Sequence, residues 1–161
     1  MTADAINIHA TGLELAGTGI VLRGPSGSGK SLLALELLER ATMRGEPGFL
    51  VADDRLEILR AGDRLVMRAP KAIAGLIELR GRGIVRRPHR AEAPVDLVVD
   101  LVDDLARMLE EEALVTDLLG VTLPRCPVPR RGIVDAGHQL LLVGEAIAAL
   151  SAGTPPHQKT T

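Results

Sequence analysis

Gly24-Pro25-Ser26-Gly27-Ser28-Gly29-Lys30-Ser31 is the stretch that decides how this chain is read. It fits the pattern of a phosphate-binding loop: Gly, four free positions, Gly, Lys, then Ser or Thr. Immediately before it, Gly19-Ile20-Val21-Leu22 is a short apolar run with the character of a buried strand. After it, Leu32, Leu33, Leu35, Glu36, Leu37 and Leu38 bring no Gly, Pro or β-branched residue, and predict a helix to about Met43. Gly45-Glu46-Pro47-Gly48 then breaks that helix. Strand, Gly-rich turn and helix, in that order, are the setting in which the motif works.

Each position has a physical reason. The glycines let successive backbone N–H groups turn inward as a concave anion nest. The helix starting near Gly29 adds the free N–H groups and partial positive charge of its first turn. Lys30 can reach β- and γ-phosphates, and the Ser31 hydroxyl can ligate Mg²⁺. A Gly-rich helix cap with Ser28 or Ser31 as N-cap is the plainer alternative; the complete motif in its setting outweighs it. All eight residues, Gly24 to Ser31, are therefore assigned to nucleotide binding.

The length, 161 residues, suits one domain over 1–153, with 154–161 as a disordered tail. The core is aliphatic, with Phe49 the one aromatic residue and neither Trp nor Tyr. That lack of stacking platforms, with a net charge of −2, argues against nucleic acid as a partner. Cys126 is alone, which excludes a disulfide framework and suits a cytoplasmic location. Neither a signal peptide nor an apolar stretch of about 18 residues is present, so no membrane association is expected.

Along the rest of the chain, Ile6 and Ile8 alternate with polar residues around His9, and Thr11 to Leu15 reads as a second strand. Phe49 to Ala52 predicts a buried strand ending at Asp53-Asp54. Leu56 to Leu59 and Leu65 to Arg68 flank Ala61-Gly62-Asp63 as a hairpin. Val95 to Leu101 predicts a strongly apolar strand, and Asp103 to Glu112 a solvated helix or loop. Pro124, Pro127 and Pro129 mark a stiff extended stretch. Gln139 to Val143 reads as a last strand and Glu145 to Leu150 as a last helix. The mixture around a phosphate loop implies an α/β fold: a mostly β central sheet flanked by helices.

A phosphate loop needs an acid at the end of a neighbouring strand. Asp100 after Leu97-Val98-Val99 is the more conventional pattern, and Asp53-Asp54 after Phe49 to Ala52 competes with it. The pair is favoured, because two adjacent carboxylates beside bound phosphate repel each other, so that one takes up a proton more readily than an isolated Asp and can accept a hydroxyl proton during transfer. Asp100, followed by Asp103 and Asp104, has the look of the start of a solvated segment. A third feature is Ile77-Glu78-Leu79-Arg80-Gly81-Arg82-Gly83-Ile84-Val85. Its glycines allow close backbone approach. Glu78 is a candidate Mg²⁺ ligand, and Arg80 a candidate clamp on transferring charge. Arg82, Arg86, Arg87, His89 and Arg90 continue as a basic run.

Together these residues resemble the catalytic domain of the bacterial HPr kinase/phosphorylase family. Ala52-Asp53-Asp54-Arg55 matches that family's acidic motif, and residues 77–85 track its Leu-Glu-Ile-Arg-Gly-Leu-Gly-Ile-Ile signature. His9, 21 residues before Lys30, lies where the family places a catalytic histidine. The resemblance covers residues 5 to 101 well and the remainder poorly. It implies an HPr-kinase-like phosphate-loop fold and an ATP- and Mg²⁺-dependent kinase of a serine on HPr, the phosphocarrier of the sugar phosphotransferase system. In the family the reverse reaction consumes phosphate and releases pyrophosphate. The matching positions imply Lys30 for phosphate, Ser31 and Glu78 for Mg²⁺ with Asp53 beside them, Asp54 as base, and His9 in support of Asp54 or the phosphate.

The chain also departs from the family pattern. Longer members carry an N-terminal regulatory domain, whereas eight residues precede His9 here. Arg82 replaces a Leu of the signature, and the spacing from Lys30 to the acid pair is longer than usual. Gly137-His138-Gln139 with Glu145 keeps the spacing of a C-terminal Gly-Arg-Asn and a later Glu but lacks the arginine, so the resemblance carries the kinase direction further than the phosphorylase one. A homo-oligomer is implied, the hexamer being common in the family. Two other readings stay open on the residues alone: a phosphate-loop kinase of small molecules, and an ATP-binding switch module without transfer.

Overall fold

The computed structural model describes residues 4–152. Strand β1 (Ala5–Ile8) leads through His9 into β2 (Ala10–Leu15) and β3 (Thr18–Arg23), followed by helix α1 (Lys30–Met43) and β4 (Gly48–Ala52). Then come β5 (Leu56–Ala61), β6 (Arg64–Arg68), β7 (Leu76–Leu79), β8 (Gly83–Arg86), β9 (Glu92–Pro94) and β10 (Leu97–Val102). Strands β11 (Val115–Leu118) and β12 (Val121–Pro129) and helix α2 (Ala136–Ser151) complete the described chain. The expected tail at 154–161 lies outside the described residues.

A six-stranded mixed sheet ordered β11-β12-β10-β3-β2-β4 forms the centre, with β12, β10 and β3 parallel. Both helices pack on one face of it, where Leu13, Leu22, Leu33, Leu37, Leu50 and Val143 share a core. The opposite face is covered by an antiparallel sheet ordered β1-β5-β6-β9, through Val21, Val51, Ala52, Leu56, Ile58 and Met67. The two sheets are clamped at Gly19. Its N–H donates to the Asp96 carboxylate at 2.8 Å, and a Cβ there would stand 1.5 Å from the Pro94 carbonyl oxygen, so only glycine fits. The mostly β, α/β architecture agrees with the sequence, with its helices on a single face. No described helix is long and apolar enough to cross a membrane.

Two local expectations are corrected and a third is sharpened. Gln139 to Val143 is not a strand but the first half of α2. The Asp135 side chain caps that helix by accepting the His138 N–H at 2.9 Å, and its apolar run packs against the sheet core. A short apolar run cannot be told from a buried helix segment by periodicity alone. The proline stretch is extended, and it also forms a full strand inside the main sheet. Strand β11 covers only Val121 to Pro124, so Pro127 and Pro129 lie where that edge has no strand partner to lose. Asp100 does not begin a solvated segment: it sits in β10, its side chain 15% exposed.

Two chain crossings between the sheets position the site. His9 joins β1 of the outer sheet to β2 of the central one, and Asp53-Asp54-Arg55 joins β4 of the central sheet to β5 of the outer one. Because β1 pairs with β5 and β2 with β4, the two crossings run side by side.

Candidate functional site

The loop after β3 turns as its glycines allow. Gly27 and Gly29 adopt φ of 82° and 100°, a left-handed conformation that side chains disfavour, and the space where a Gly29 Cβ would stand is open. Pro25 accepts the Ser28 N–H at 3.0 Å, and the Ser28 hydroxyl is buried against Gly24 without a hydrogen-bond partner. Gly24, Pro25 and Ser28 thus form the floor of the loop. Ser26, Gly27, Gly29 and Lys30 line the cleft above it, of about 340 Å³. Lys30 is 7% exposed, and its Nζ donates to the carbonyls of Gly24 at 2.8 Å and Pro25 at 3.3 Å. An ammonium has three donors, so one remains for an anion in the cleft.

Ser31, on the first turn of α1, donates its hydroxyl to the Asp53 carboxylate, 2.8 Å from Oδ1 and 2.9 Å from Oδ2. A β-bulge makes this contact possible. On β2, Gly12 pairs with Ala52 and Leu13 with Leu50, which leaves Val51 as an extra residue of β4. Val51 and Ala52 consequently both face the outer-sheet core, while Leu50 faces the helix-side core. The next residue, Asp53, is turned to the helix side, where Ser31 lies. Were residues 50–53 a regular strand without the bulge, strict alternation from Leu50 would send Asp53 to the opposite face.

Asp54, Glu78 and Arg80 share the same cleft. Asp54 is non-glycine at φ 68°, a conformation that Asp tolerates better than most residues. Its Oδ1 lies 3.7 Å from Nδ1 of His9, with both side chains largely exposed. His9 stands beside Asp54, outside the residues that line the cleft. The Glu78 N–H reaches Asp53 Oδ2 at 3.4 Å, tying strand β7 to the acid pair. Arg80, at the tip of the β7–β8 hairpin, holds its Nη2 4.0 Å from where a Gly27 Cβ would stand, above the phosphate loop. All eight loop residues, both acids, Glu78, Arg80 and His9 therefore gather in one region.

Asp100, the competing acid, serves a different purpose. It accepts from Arg23 at 2.7 and 2.8 Å and from Arg125 at 2.5 Å. Burial raises the pKa of its carboxyl, but the hydrogen bonds and charges of the two arginines prevail and hold it below the usual carboxylate range. Sequence reasoning overlooked Thr11. This wholly buried residue of β2 donates to Asp53 Oδ1 at 2.8 Å and accepts the Asp54 N–H at 3.3 Å. The available signal was a hydroxyl residue two positions after His9, in a strand whose other residues are Ala, Gly, Leu and a single Glu14.

The cleft fits a polyphosphate and a divalent cation. Its loop presents main-chain amides unobstructed by Cβ atoms, with a lysine and a helix N-terminus. Among the described residues no group of three or more His, Cys, Asp or Glu side chains could hold a metal alone. That suits Mg²⁺, which is commonly bound by one or two protein groups together with substrate phosphates.

Residues 1–152 match the HPr Serine kinase C-terminal domain family. The chain is 30% identical over 158 residues to the HPr kinase/phosphorylase of Levilactobacillus brevis, covering 91% of this chain and 48% of that protein. It is 34% identical over 165 residues to the HPr kinase/phosphorylase of Geobacillus thermodenitrificans, with the same coverage. The chain spans about half the length of these relatives. In fold it is similar to the HPr(Ser) kinase/phosphatase from Coxiella burnetii, with a TM-score of 0.70 at 23% identity over 92% of this chain and 99% of that one. With its whole described length matched, the chain belongs to the HPr serine kinase C-terminal domain family.

Proposed function

We propose that this chain is an ATP- and Mg²⁺-dependent kinase of a serine on the phosphocarrier protein HPr, with the phosphate-dependent reverse reaction as its second activity. The observation that carries the reading is the division of labour in the acid pair. Asp53 is tied to the Ser31 hydroxyl, while Asp54, one residue on, faces the same cleft with its carboxylate accessible. The family membership supports the acceptor, since its curated members carry the name HPr kinase/phosphorylase.

Bound ATP supplies the phosphoryl group, and Mg²⁺ neutralises charge that builds on its phosphates. The loop amides and Lys30 hold the phosphate chain, with Ser31 and Asp53 on the metal side and Glu78 as a further metal-side carboxylate. Asp54 would accept the proton of the incoming serine hydroxyl as its oxygen bonds to the γ-phosphorus and the bond from that phosphorus to the bridging oxygen breaks, ADP leaving. In the reverse direction inorganic phosphate would attack the phosphoserine phosphorus, the serine oxygen would leave with the proton returned by Asp54, and pyrophosphate would be released. His9 orients Asp54, and Arg80 meets negative charge above the loop. Positioning and charge neutralisation supply most of the acceleration, as is general for phosphoryl transfer. A homo-oligomer in an intracellular, reducing setting completes the proposal.

The test is incubation of the purified chain with HPr, ATP and Mg²⁺, followed by intact mass. One added phosphate on HPr, lost when its acceptor serine is replaced, is the expected result. Transfer to nucleoside or sugar acceptors instead would assign a small-molecule kinase. Tight ATP binding with no transfer would assign a switch module.

A further inference from the structure

We infer that Thr11 is a positioning residue for both carboxylates, one hydroxyl that fixes Asp53 towards the metal side and Asp54 towards the acceptor. The inference rests on the proposed phosphoryl transfer for its catalytic consequence, and on hydrogen bonds alone for its structural one.

Three observations converge on Thr11. It is wholly buried in β2, where an unpaired hydroxyl would be costly. Its O–H donates to Asp53 Oδ1 at 2.8 Å, on the carboxylate that also accepts the Ser31 hydroxyl. Its oxygen accepts the Asp54 main-chain N–H at 3.3 Å, at the residue whose φ of 68° turns the chain from one sheet to the other. The Val51 bulge brings Asp53 to the level of Thr11, because the pairing of Gly12 with Ala52 sets the next residues of the two strands opposite each other. One buried hydroxyl is thus shared between the side chain of one acid and the backbone of the next. Asp53 can then neither swing from Ser31 nor rotate its Oδ1 away, and the left-handed turn that exposes Asp54 is held at its own amide.

Two variants separate this role from packing. Thr11→Val keeps the shape and loses the hydroxyl; Thr11→Ser keeps the hydroxyl and loses a buried methyl. With HPr as acceptor, Thr11→Val is expected to lower kcat by about tenfold to a hundredfold, the range typical of residues that orient metal-side ligands. The Mg²⁺ concentration for half-maximal ATP binding should rise about tenfold, and exchange of the Asp54 amide hydrogen should quicken by a similar factor. Thr11→Ser should stay within about threefold of the parent in all three measurements. Packing alone would rank the variants the other way, with Val above Ser, and that order would overturn the inference. Should Thr11→Val fail to fold, Thr11→Ser still decides: parental kcat and Asp54 exchange support the role, and a tenfold loss refutes it. If the parent chain does not phosphorylate HPr, the kinase reading falls by itself. Magnesium dependence of ATP binding and Asp54 exchange in the two variants then decide the role of Thr11.

Discussion

Asp53 meets Ser31 through both of its carboxylate oxygens, and Val51 before it is one residue more than β2 has partners for. The bulge lets β4 bury both Val51 and Ala52 in the outer-sheet core ahead of Asp53. Deleting Val51 leaves Leu50 opposite Leu13 and Ala52 opposite Gly12 in regular alternation, so Asp53 should stay on the helix side with Ser31. The deletion removes a side chain with no exposure, worth about 1.5–3 kcal/mol of burial. The expected outcome is a lower melting temperature with the Mg²⁺-dependent part of ATP affinity retained. Val51→Ala is the control: it keeps the bulge, loses part of the burial, and should retain the Mg²⁺ effect. Titration of ATP with and without Mg²⁺ on both variants checks this.

Asp54 combines a left-handed backbone with an accessible carboxylate 3.7 Å from His9. Asn accepts the same backbone conformation, so Asp54→Asn should fold and bind ATP as the parent does. Its transfer rate to HPr should fall by about a hundredfold to ten-thousandfold, the usual worth of a general base. Asp54→Gly should lose as much activity and yet melt no lower than the parent, since glycine relieves the strained φ. A fall of less than tenfold in Asp54→Asn would show that another group takes the serine proton.

The parts of this architecture that sequence made legible are those where one local rule suffices. The phosphate loop is a contiguous motif, and the β5–β6 hairpin follows from Ala61-Gly62-Asp63 between two alternating strands. Glu145 to Leu150 was legible as helix, but the first half of α2 was hidden because its leucine-rich start satisfies strand and helix patterns alike, and the Asp135 cap gives only a weak signal beforehand. Asp100 and Thr11 could not be interpreted from sequence for a common reason. The partners of Asp100 are Arg23 and Arg125, and those of Thr11 are residues 53 and 54, all distant along the chain. Pairing register creates such contacts, and the bulge that sets the register leaves no composition signature.

Asp100 gives a prediction with a defined pH dependence. Its carboxyl is held below the usual value by Arg23 and Arg125, against the raising effect of burial. A lowered folded-state pKa means stability that is fully present above the unfolded value of about 3.9 and lost as pH falls through the folded one. Asp100→Asn leaves two partly buried arginines without their counter-charge. It should destabilise the fold by about 2–4 kcal/mol at neutral pH. The difference from the parent should shrink below about pH 4, as first the unfolded and then the folded parent carboxyl takes up a proton. Denaturant melts of both proteins at pH 7 and pH 3 measure it, and an equal gap at the two pH values would refute the assignment.

Cys126 lies in β12 with its Sγ directed at the Leu142 carbonyl, 3.5 Å away in α2. Burial pushes its thiol up to about 12, against the opposing charge of Arg125. The thiolate is the reactive form, so at pH 8 the native protein should resist alkylation while the denatured chain, with an ordinary thiol near 8.5, reacts readily. The native rate should follow opening of the α2–β12 contact and rise with denaturant before global unfolding only if α2 detaches first. Iodoacetamide labelling followed by intact mass, at several denaturant concentrations below the transition, checks this. Labelling of the native protein at the rate of a free thiol would show that helix α2 does not stay seated on the sheet in solution.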